Sequence, residues 1–344
     1  MKKLLLFILL LSPSILLLAQ TEKGPYQVKS LSNDAIKLAN IKTSGGNISV
    51  QGVEPVNARI EVYITASNGR HNSLSNEEIQ KRLDAYELNI TTANGKLTAI
   101  AKAKQHMHDW KKALNISFKA FIPSMSGTDL STSGGNISLD NLSGEENFTT
   151  SGGNLLINHV SGKINGKTSG GNILVQNSKD EIEVSTSGGN VVAKNTEGNL
   201  NLTTSGGSVD LKDIKGNTKA ITSGGNIVGE KIEGELKAHT SGGNITLEKL
   251  SCTLEASTSG GNIDVALDKF GKYVKLNNSG GNINLQVPGQ AGVDFDLSAE
   301  KIQSNQLNNF SGQLKENAIV GKLNGGGIPV SVSASSGRIH LTVK

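Results

Sequence analysis

The residues with the most chemical promise come as a repeated set. "TSGGNI" starts at Thr43 and again at Thr132, then returns as "TTSGGNLLI", "KTSGGNILV", "STSGGNVVA", "TTSGGSVDL", "ITSGGNIVG", "HTSGGNITL", "STSGGNIDV" and "NNSGGNINL". A glycine pair between Ser and Asn could cradle an anion. A phosphate loop, however, needs its glycines to lead into a helix N-terminus, with a Lys for the phosphates. These glycines lead into alternating apolar residues, the pattern of a strand. Calcium-binding repeats need an Asp in the turn (Gly-Gly-x-Gly-x-Asp) to supply charge. Here Asn and an apolar residue follow the glycines, too little charge to hold Ca²⁺ tightly.

Other groups with chemical potential are scattered. "HMHDW" would place His106 and His108 on one face of a strand, with Asp109 or His71 as further metal ligands. A lone His-x-His is a weak signal. Asp210 and Asp264 share a place in the repeat but are three repeats apart, about 14 Å at ordinary strand spacing. Paired acid catalysis on a sugar needs about 5–10 Å. Asp140 and Asp213 occupy other places, as do His159 and His239. Cys252 has no aligned His to act as its base. The expectation is no catalytic residue, no metal ligand set and no cofactor.

The spacing of the motif defines the elements that carry it. Its serines are Ser133, Ser151, Ser169, Ser187, Ser205, Ser223, Ser241 and Ser259, each 18 residues after the last, and then Ser279 after 20. Counting Ser as one, position five is always Ile, Leu or Val, from Ile137 to Ile263, and position seven mostly so. Positions fourteen and sixteen are largely apolar, as in Ile182 and Val184. Position ten adds an inward residue near a bend, and position twelve is commonly Gly. Period-two alternation means strands with one face in and one out. Helices are excluded by the absence of a 3.6-residue period and by the glycine pairs.

Two short strands alone bury too little, so successive repeats must stack. The predicted fold is all-β: a parallel β-solenoid (single-stranded β-helix) of about ten 18-residue rungs, with an α+β N-terminal insert or cap. At about 4.8 Å per rung the rod would be some 45–50 Å long. The motif then becomes a structural turn ladder. Its members are Thr132, Ser133, Gly134, Gly135 and Asn136; Thr150, Ser151, Gly152, Gly153 and Asn154; Thr168, Ser169, Gly170, Gly171 and Asn172; Thr186, Ser187, Gly188, Gly189 and Asn190. Glycine would supply a positive φ at a tight corner, and the stacked hydroxyls and amides would bond along the rod. Ice-binding proteins also carry Thr ladders, but on a broad flat strand rather than at a corner.

A stack needs covered ends. Residues 21–52 read as an N-terminal rung, 53–131 as an inserted α+β cap, 132–290 as regular repeats and 291–344 as degenerate C-terminal rungs closing with "SSGRIHL". Within the insert, "SNEEIQKRLDAY" reads as a short helix, with Ser75 as N-cap and Glu78 completing a capping box. Residues 1–20, "MKKLLLFILLLSPSILLLAQ", have the three-part layout of a secretory signal peptide, with no Cys placed for lipidation. Losing Lys2 and Lys3 lowers the formal charge from +4 to +2, which gives nucleic-acid binding no support. Few aromatics (3%), 41 glycines and a single Cys suit a narrow Ile/Leu/Val interior without disulfides.

"FIPSMSGTDLSTSGGNISL", the "TSGGNI" run and "LNGGGIPVSVSASSGRIHL" together resemble the bacterial putative-adhesin β-strand-repeat family, a domain of unknown function, over roughly residues 39–344. The resemblance implies an exported, repetitive β-fold and brings no catalytic residues. The expected function is an exported, non-enzymatic β-solenoid acting as an adhesin or cell-envelope interaction scaffold. Two alternatives are a polysaccharide-binding or polysaccharide-cleaving β-helix protein and a self-assembling envelope protein. The expected location is the periplasm, the outer-membrane surface or the exterior, with no membrane span after leader cleavage. Candidate partners are a surface glycan or an envelope protein.

Overall fold

The computed structural model describes residues 24–67, 74–104 and 112–344. The leader reading (1–20) and the His71, His106, His108 and Asp109 reading lie outside the described residues. The architecture is almost entirely β. Twenty-six strands, one α-helix and one 3₁₀ turn account for the regular structure of the described residues.

Through the repeats, each strand pairs in parallel with its counterpart one repeat on. Ile137–Leu142 lies beside Leu155–Val160, with Ile137 opposite Leu155. Glu145–Thr150 lies beside Lys163–Thr168, with Thr150 opposite Thr168. Two faces result, one from positions five to ten and the other from positions thirteen to eighteen. From Val191 onward the two strands of a repeat run together into one bent strand, as in Val191–Thr204 and Val209–Ile221. The alternation expected from sequence is the burial seen. Ile137, Leu139, Ile173, Val175, Ile227 and Ile245 are at most 1% exposed, and the polar residues between them face out. The 20-residue interval before Ser279 is absorbed as register shifts between Ile245–Thr258 and Ile263–Asn278.

Both ends depart from sequence order, and in the same way. At the N-terminal end, Leu38–Thr43 is inserted between Lys96–Ala103 and Gly127–Thr132, parallel to both. Ile48–Val53 likewise lies between Leu114–Pro123 and Ile137–Leu142. The 53–131 segment therefore adds a further parallel layer outside the first copy of the motif. It then covers that layer with antiparallel strands: Arg59–Ala66 on Leu114–Pro123, Gln27–Ser30 on Arg59–Ala66, and Tyr86–Ala93 on Lys96–Ala103. Its helix, Asn76–Leu83, is capped by Ser75 Oγ, which accepts from the Glu78 N–H at 3.2 Å. The Glu78 carboxylate itself turns to Arg82 Nε at 2.7 Å. Ile79 anchors the helix in the same hydrophobic core that runs from Leu31 to Leu341.

At the C-terminal end the last two strands tuck inward. Ile328–Ala334 lies between the second half of Ile263–Asn278 and Val293–Ser298. Arg338–Val343 lies between Ile283–Val287 and Lys301–Ser304. The Phe310–Lys315/Ala318–Leu323 hairpin then continues antiparallel from Val293–Ser298.

Candidate functional site

The polar groups of the motif are engaged with neighbouring repeats. Thr150 Oγ1 donates to the Gly135 carbonyl of the preceding repeat at 2.8 Å and accepts from the Gly153 N–H of its own repeat at 3.2 Å. Thr132, Thr168 and Thr186 do the same, reaching Gly46, Gly153 and Gly171. All four threonines are buried. Asn278, which replaces Thr in the last copy, reproduces both bonds with one amide. The asparagines form a second ladder, in which Asn136 Oδ1 accepts from Asn154 N–H and Asn154 Oδ1 from Asn172 N–H, each at 2.8 Å. Asn172 and Asn190 carry it on, Ser208 substitutes once, and it ends where Asn282 Oδ1 accepts from the Arg338 N–H at 3.0 Å. The serine side chains (Ser133, Ser151, Ser169, Ser187) are exposed.

The glycine pair divides its labour. The first glycine (Gly134, Gly152, Gly170, Gly188) has room: a Cβ would meet nothing nearer than 3.6 Å. The second (Gly135, Gly153, Gly171, Gly189) does not, because a Cβ there would lie 1.9–2.0 Å from the carbonyl oxygen of the glycine beneath. Neither has a left-handed φ. The expectation of positive φ at this corner is therefore corrected: the second glycine is needed for close backbone stacking. Positive φ occurs elsewhere in the repeat: at position nine, in Asn141, His159, Asn177, Asn195, Asp213, Lys231 and Lys249, with φ between 50° and 57°, and at position twelve, in Gly162, Asp180, Gly198, Gly216 and Gly234, with φ between 82° and 119°.

The scattered chemical candidates stay apart. Asp210 pairs in register with Val192 and Val228, whereas Asp264 lies opposite Thr246 and Asn284. Asp213 is 3.4 Å from Lys231 Nζ, and Asp140 is 3.5 Å from His159 Nδ1 and accepts from Asn158. His239 Nδ1 sits 2.8 Å from Ser257 Oγ. Cys252 is buried, and burial pushes its thiol up to about 12, so it is no nucleophile at neutral pH. One acid is unlike the rest. Glu146 stands at an apolar position in the repeat, is fully buried, and carries a pKa raised to about 7 by that burial. Its oxygens accept from Thr128 Oγ1 at 2.5 Å and Gly144 N–H at 3.2 Å.

Among the described residues, polar side chains converge near the C-terminal end. A cleft of 260 Å³ opens where the asparagine ladder meets the tucked-in last strand. It is lined by Asn262 and Asn282 from the ladder, Asp264 and Asn284 from the next outward row, and Gln303, Arg338 and His340 from the two strands beyond. Sequence reading flagged only Asp264 among these. Aligning "SSGRIHL" with "SGGNINL" does place Arg338 and His340 where Asn282 and Asn284 stand, and Gly337 stacks on Gly281 as the motif requires. That Gln303 would lie beyond His340 had no local signal, because the order of the last strands is inverted.

A stack of parallel β-repeats with stacked polar corners and both ends covered is the class of protein seen here. Residues 175–342 match the family model Toastrack DUF4097. The C-terminal part thus matches a domain of unknown function, in agreement with the resemblance read from the motifs, over a shorter span. No curated protein matches the chain. Two solved structures are similar. One is a putative cell adhesion protein from Clostridium sporogenes: 13% identity, 94% of this chain and 100% of that one covered, TM-score 0.22. The other is a putative adhesin from Bacteroides fragilis: 11% identity, 92% and 95% covered, TM-score 0.25.

Proposed function

We propose that the protein is an exported, non-enzymatic β-solenoid of about ten rungs that works as an adhesin or cell-envelope interaction scaffold. The observation that carries this reading is the fate of the motif's hydrogen bonds. Thr hydroxyls and Asn carbonyls are consumed between neighbouring repeats, so the many-copy element builds the rod. The outward positions vary freely and remain as the binding surface. Some of their charges are held by neighbours, as Glu230 is by Lys212 and Lys249, and that pairing suits recognition rather than acid–base work. The signal-like leader and the Toastrack match favour an envelope or external location. Glycan-array binding and pull-downs with the purified protein test the binding role, and surface proteolysis of whole cells tests the location. Turnover of a defined polysaccharide would sink the non-enzymatic reading.

End-to-end self-assembly is favoured by a separate observation. The rod finishes at each end in an antiparallel strand, Gln27–Ser30 and Phe310–Lys315, on which Val28 and Leu314 are more than half exposed. Such edges can pair with another chain. Filaments seen by electron microscopy would support this reading, and a monomer at high concentration would remove it.

A further inference from the structure

The C-terminal cleft has a definite chemical bias, and the ladder produces it. Each ladder asparagine uses its Oδ1 to accept the next backbone N–H, which fixes the amide so that Nδ2 faces outward. Asn262 and Asn282 therefore offer donors to the cleft. Arg338 replaces the next asparagine and adds a guanidinium. Among the described residues no carboxylate lies within ion-pair distance of it, and its register neighbour Lys301 is paired with Glu316 at 3.3 Å. His340 and Gln303 extend the outward row with ring and amide groups free of other side-chain bonds. Asp264 accepts from Asn284 Nδ2 and keeps a second oxygen for a hydroxyl donor. It stands two strands from Arg338, a backbone separation of about 10 Å by strand spacing, and is not ion-paired with it.

We propose that this cleft binds an acidic saccharide, with Arg338 receiving the sugar carboxylate and Asp264, Asn284, His340 and Gln303 receiving its hydroxyls. The planar guanidinium fork matches a carboxylate in a two-pronged arrangement. Donors predominate around it, and the one acid sits a sugar's breadth away, where it suits a hydroxyl better than an anion. A small number of convergent polar groups in a concavity is what orients a small ligand. The inference rests on the binding-scaffold reading and adds a ligand class and a location to it.

The test is calorimetric titration of the purified protein with a short uronic-acid oligomer, its carboxyl-reduced neutral counterpart and a sulfated oligosaccharide. The uronate is expected to bind, and carboxyl reduction to weaken binding at least tenfold. Arg338→Asn, which installs the ladder's own residue, should cost at least tenfold with an unchanged circular dichroism spectrum. Gln303→Ala and His340→Ala should each cost a few-fold. Equal binding by Arg338→Asn, equal binding of the reduced oligomer, preference for the sulfated sugar, or no uronate binding would each overturn the site. The scaffold reading is judged separately. Capture of neutral glycans or proteins untouched by Arg338→Asn leaves it standing without this site. Arg338-dependent binding followed by cleavage of the oligomer would keep the site and end the non-enzymatic reading.

Discussion

Two corners of each repeat are very different from one another. The Thr-Ser-Gly-Gly-Asn corner is conspicuous in sequence and has ordinary backbone, with φ outside the left-handed region at both glycines. The corner at position nine is inconspicuous, occupied by Asn, His, Asp or Lys, yet every one of the seven from Asn141 to Lys249 is left-handed. The first corner is constrained between repeats, where backbones touch and there is no room for a Cβ. The second is constrained within a repeat, where the chain must bend whatever the side chain. Stacking contacts demand one residue type in every copy, and so they print a motif. A left-handed turn near φ 50–57° tolerates several types at a modest cost and prints almost nothing, whereas the wider φ of 96–119° at position twelve is served by Gly162, Gly198, Gly216 and Gly234 and does show in the sequence.

The sharpest way to break the first corner is to separate its two glycines. Gly171→Ala would drive a Cβ to 1.9 Å from the Gly153 carbonyl oxygen. Backbone cannot yield there without parting two repeats, so a loss of about 3 kcal/mol or more is expected. Because a stacked array is held by nearest-neighbour interfaces, hydrogen exchange should rise most around residues 150–190. Gly170→Ala meets nothing nearer than 3.8 Å and has no left-handed φ to lose. It should be neutral or stabilising by up to about 1 kcal/mol, through a less flexible unfolded chain. Urea denaturation of the two variants side by side decides the matter. Equal losses would mean that the corner is set by conformation after all.

Glu146 offers a comparison by pH. Its carboxyl is buried on the inward side just past the Gly144 turn, where the next repeats carry Ile164 and Ile182. Burial raises its pKa to about 7 in the folded state, against about 4.5 unfolded. The folded state then holds a proton that the unfolded state has released between these values, so stability falls as pH rises from about 4.5 to 7. The expected drop is about 3 kcal/mol, at 1.36 kcal/mol per pKa unit. Denaturation midpoints at pH 5 and pH 8 measure it. Replacing the hydrogen-bonded pair together, Thr128→Val with Glu146→Ile, should flatten the profile. A profile that stays steep in the double variant would assign the effect elsewhere.

Thr204→Val probes the bond that ties the first corner to the repeat beneath. Thr204 Oγ1 donates to the Gly189 carbonyl at 2.7 Å and accepts from the Gly207 N–H at 3.2 Å, in a site 1% exposed. Valine keeps the shape and leaves both groups unpaired, at a cost of about 2 kcal/mol. Thr204→Ser restores the hydroxyl and should recover most of it, as thermal melting would show.

These contrasts explain what was legible in the sequence. Strand alternation, the 18-residue register and the hydroxyl and amide ladders follow from contacts each copy repeats, so Ile137, Thr150 and Asn154 announce their roles. The helix start at Ser75 was equally plain, since a capping residue acts locally. The order of layers at the ends was not legible. Leu38–Thr43 sits inside Lys96–Ala103, and Arg338–Val343 inside Lys301–Ser304, because a strand needs only a parallel neighbour of matching burial. Neighbours far apart in sequence leave no periodic trace. The cleft depends on that inverted order, so Gln303 and His340 looked unrelated until the fold joined them.

The second corner is sharpened by asking whether its residues pay for their backbone. Lys231 holds φ 56° with a long side chain, a conformation costing an ordinary L-residue about 1 kcal/mol. Its ammonium lies 3.4 Å from Asp213, but both side chains are substantially exposed, and such a pair returns at most about 1 kcal/mol and often much less. Lys231→Gly removes the steric cost and loses the weak pair, while glycine adds freedom to the unfolded chain. Lys231→Asn keeps a side chain that tolerates this backbone, as Asn141, Asn177 and Asn195 already do in their own repeats. The asparagine variant should therefore be the more stable of the two and exceed the parent by about 0.5 kcal/mol, since left-handed tolerance then comes without added chain entropy. Raising the salt concentration screens the pair that only the parent has, so it should widen the parent's deficit by no more than the value of that pair. An asparagine variant less stable than the parent in low salt, with the gap closing in high salt, would show that position nine is held by its charges and not by its turn.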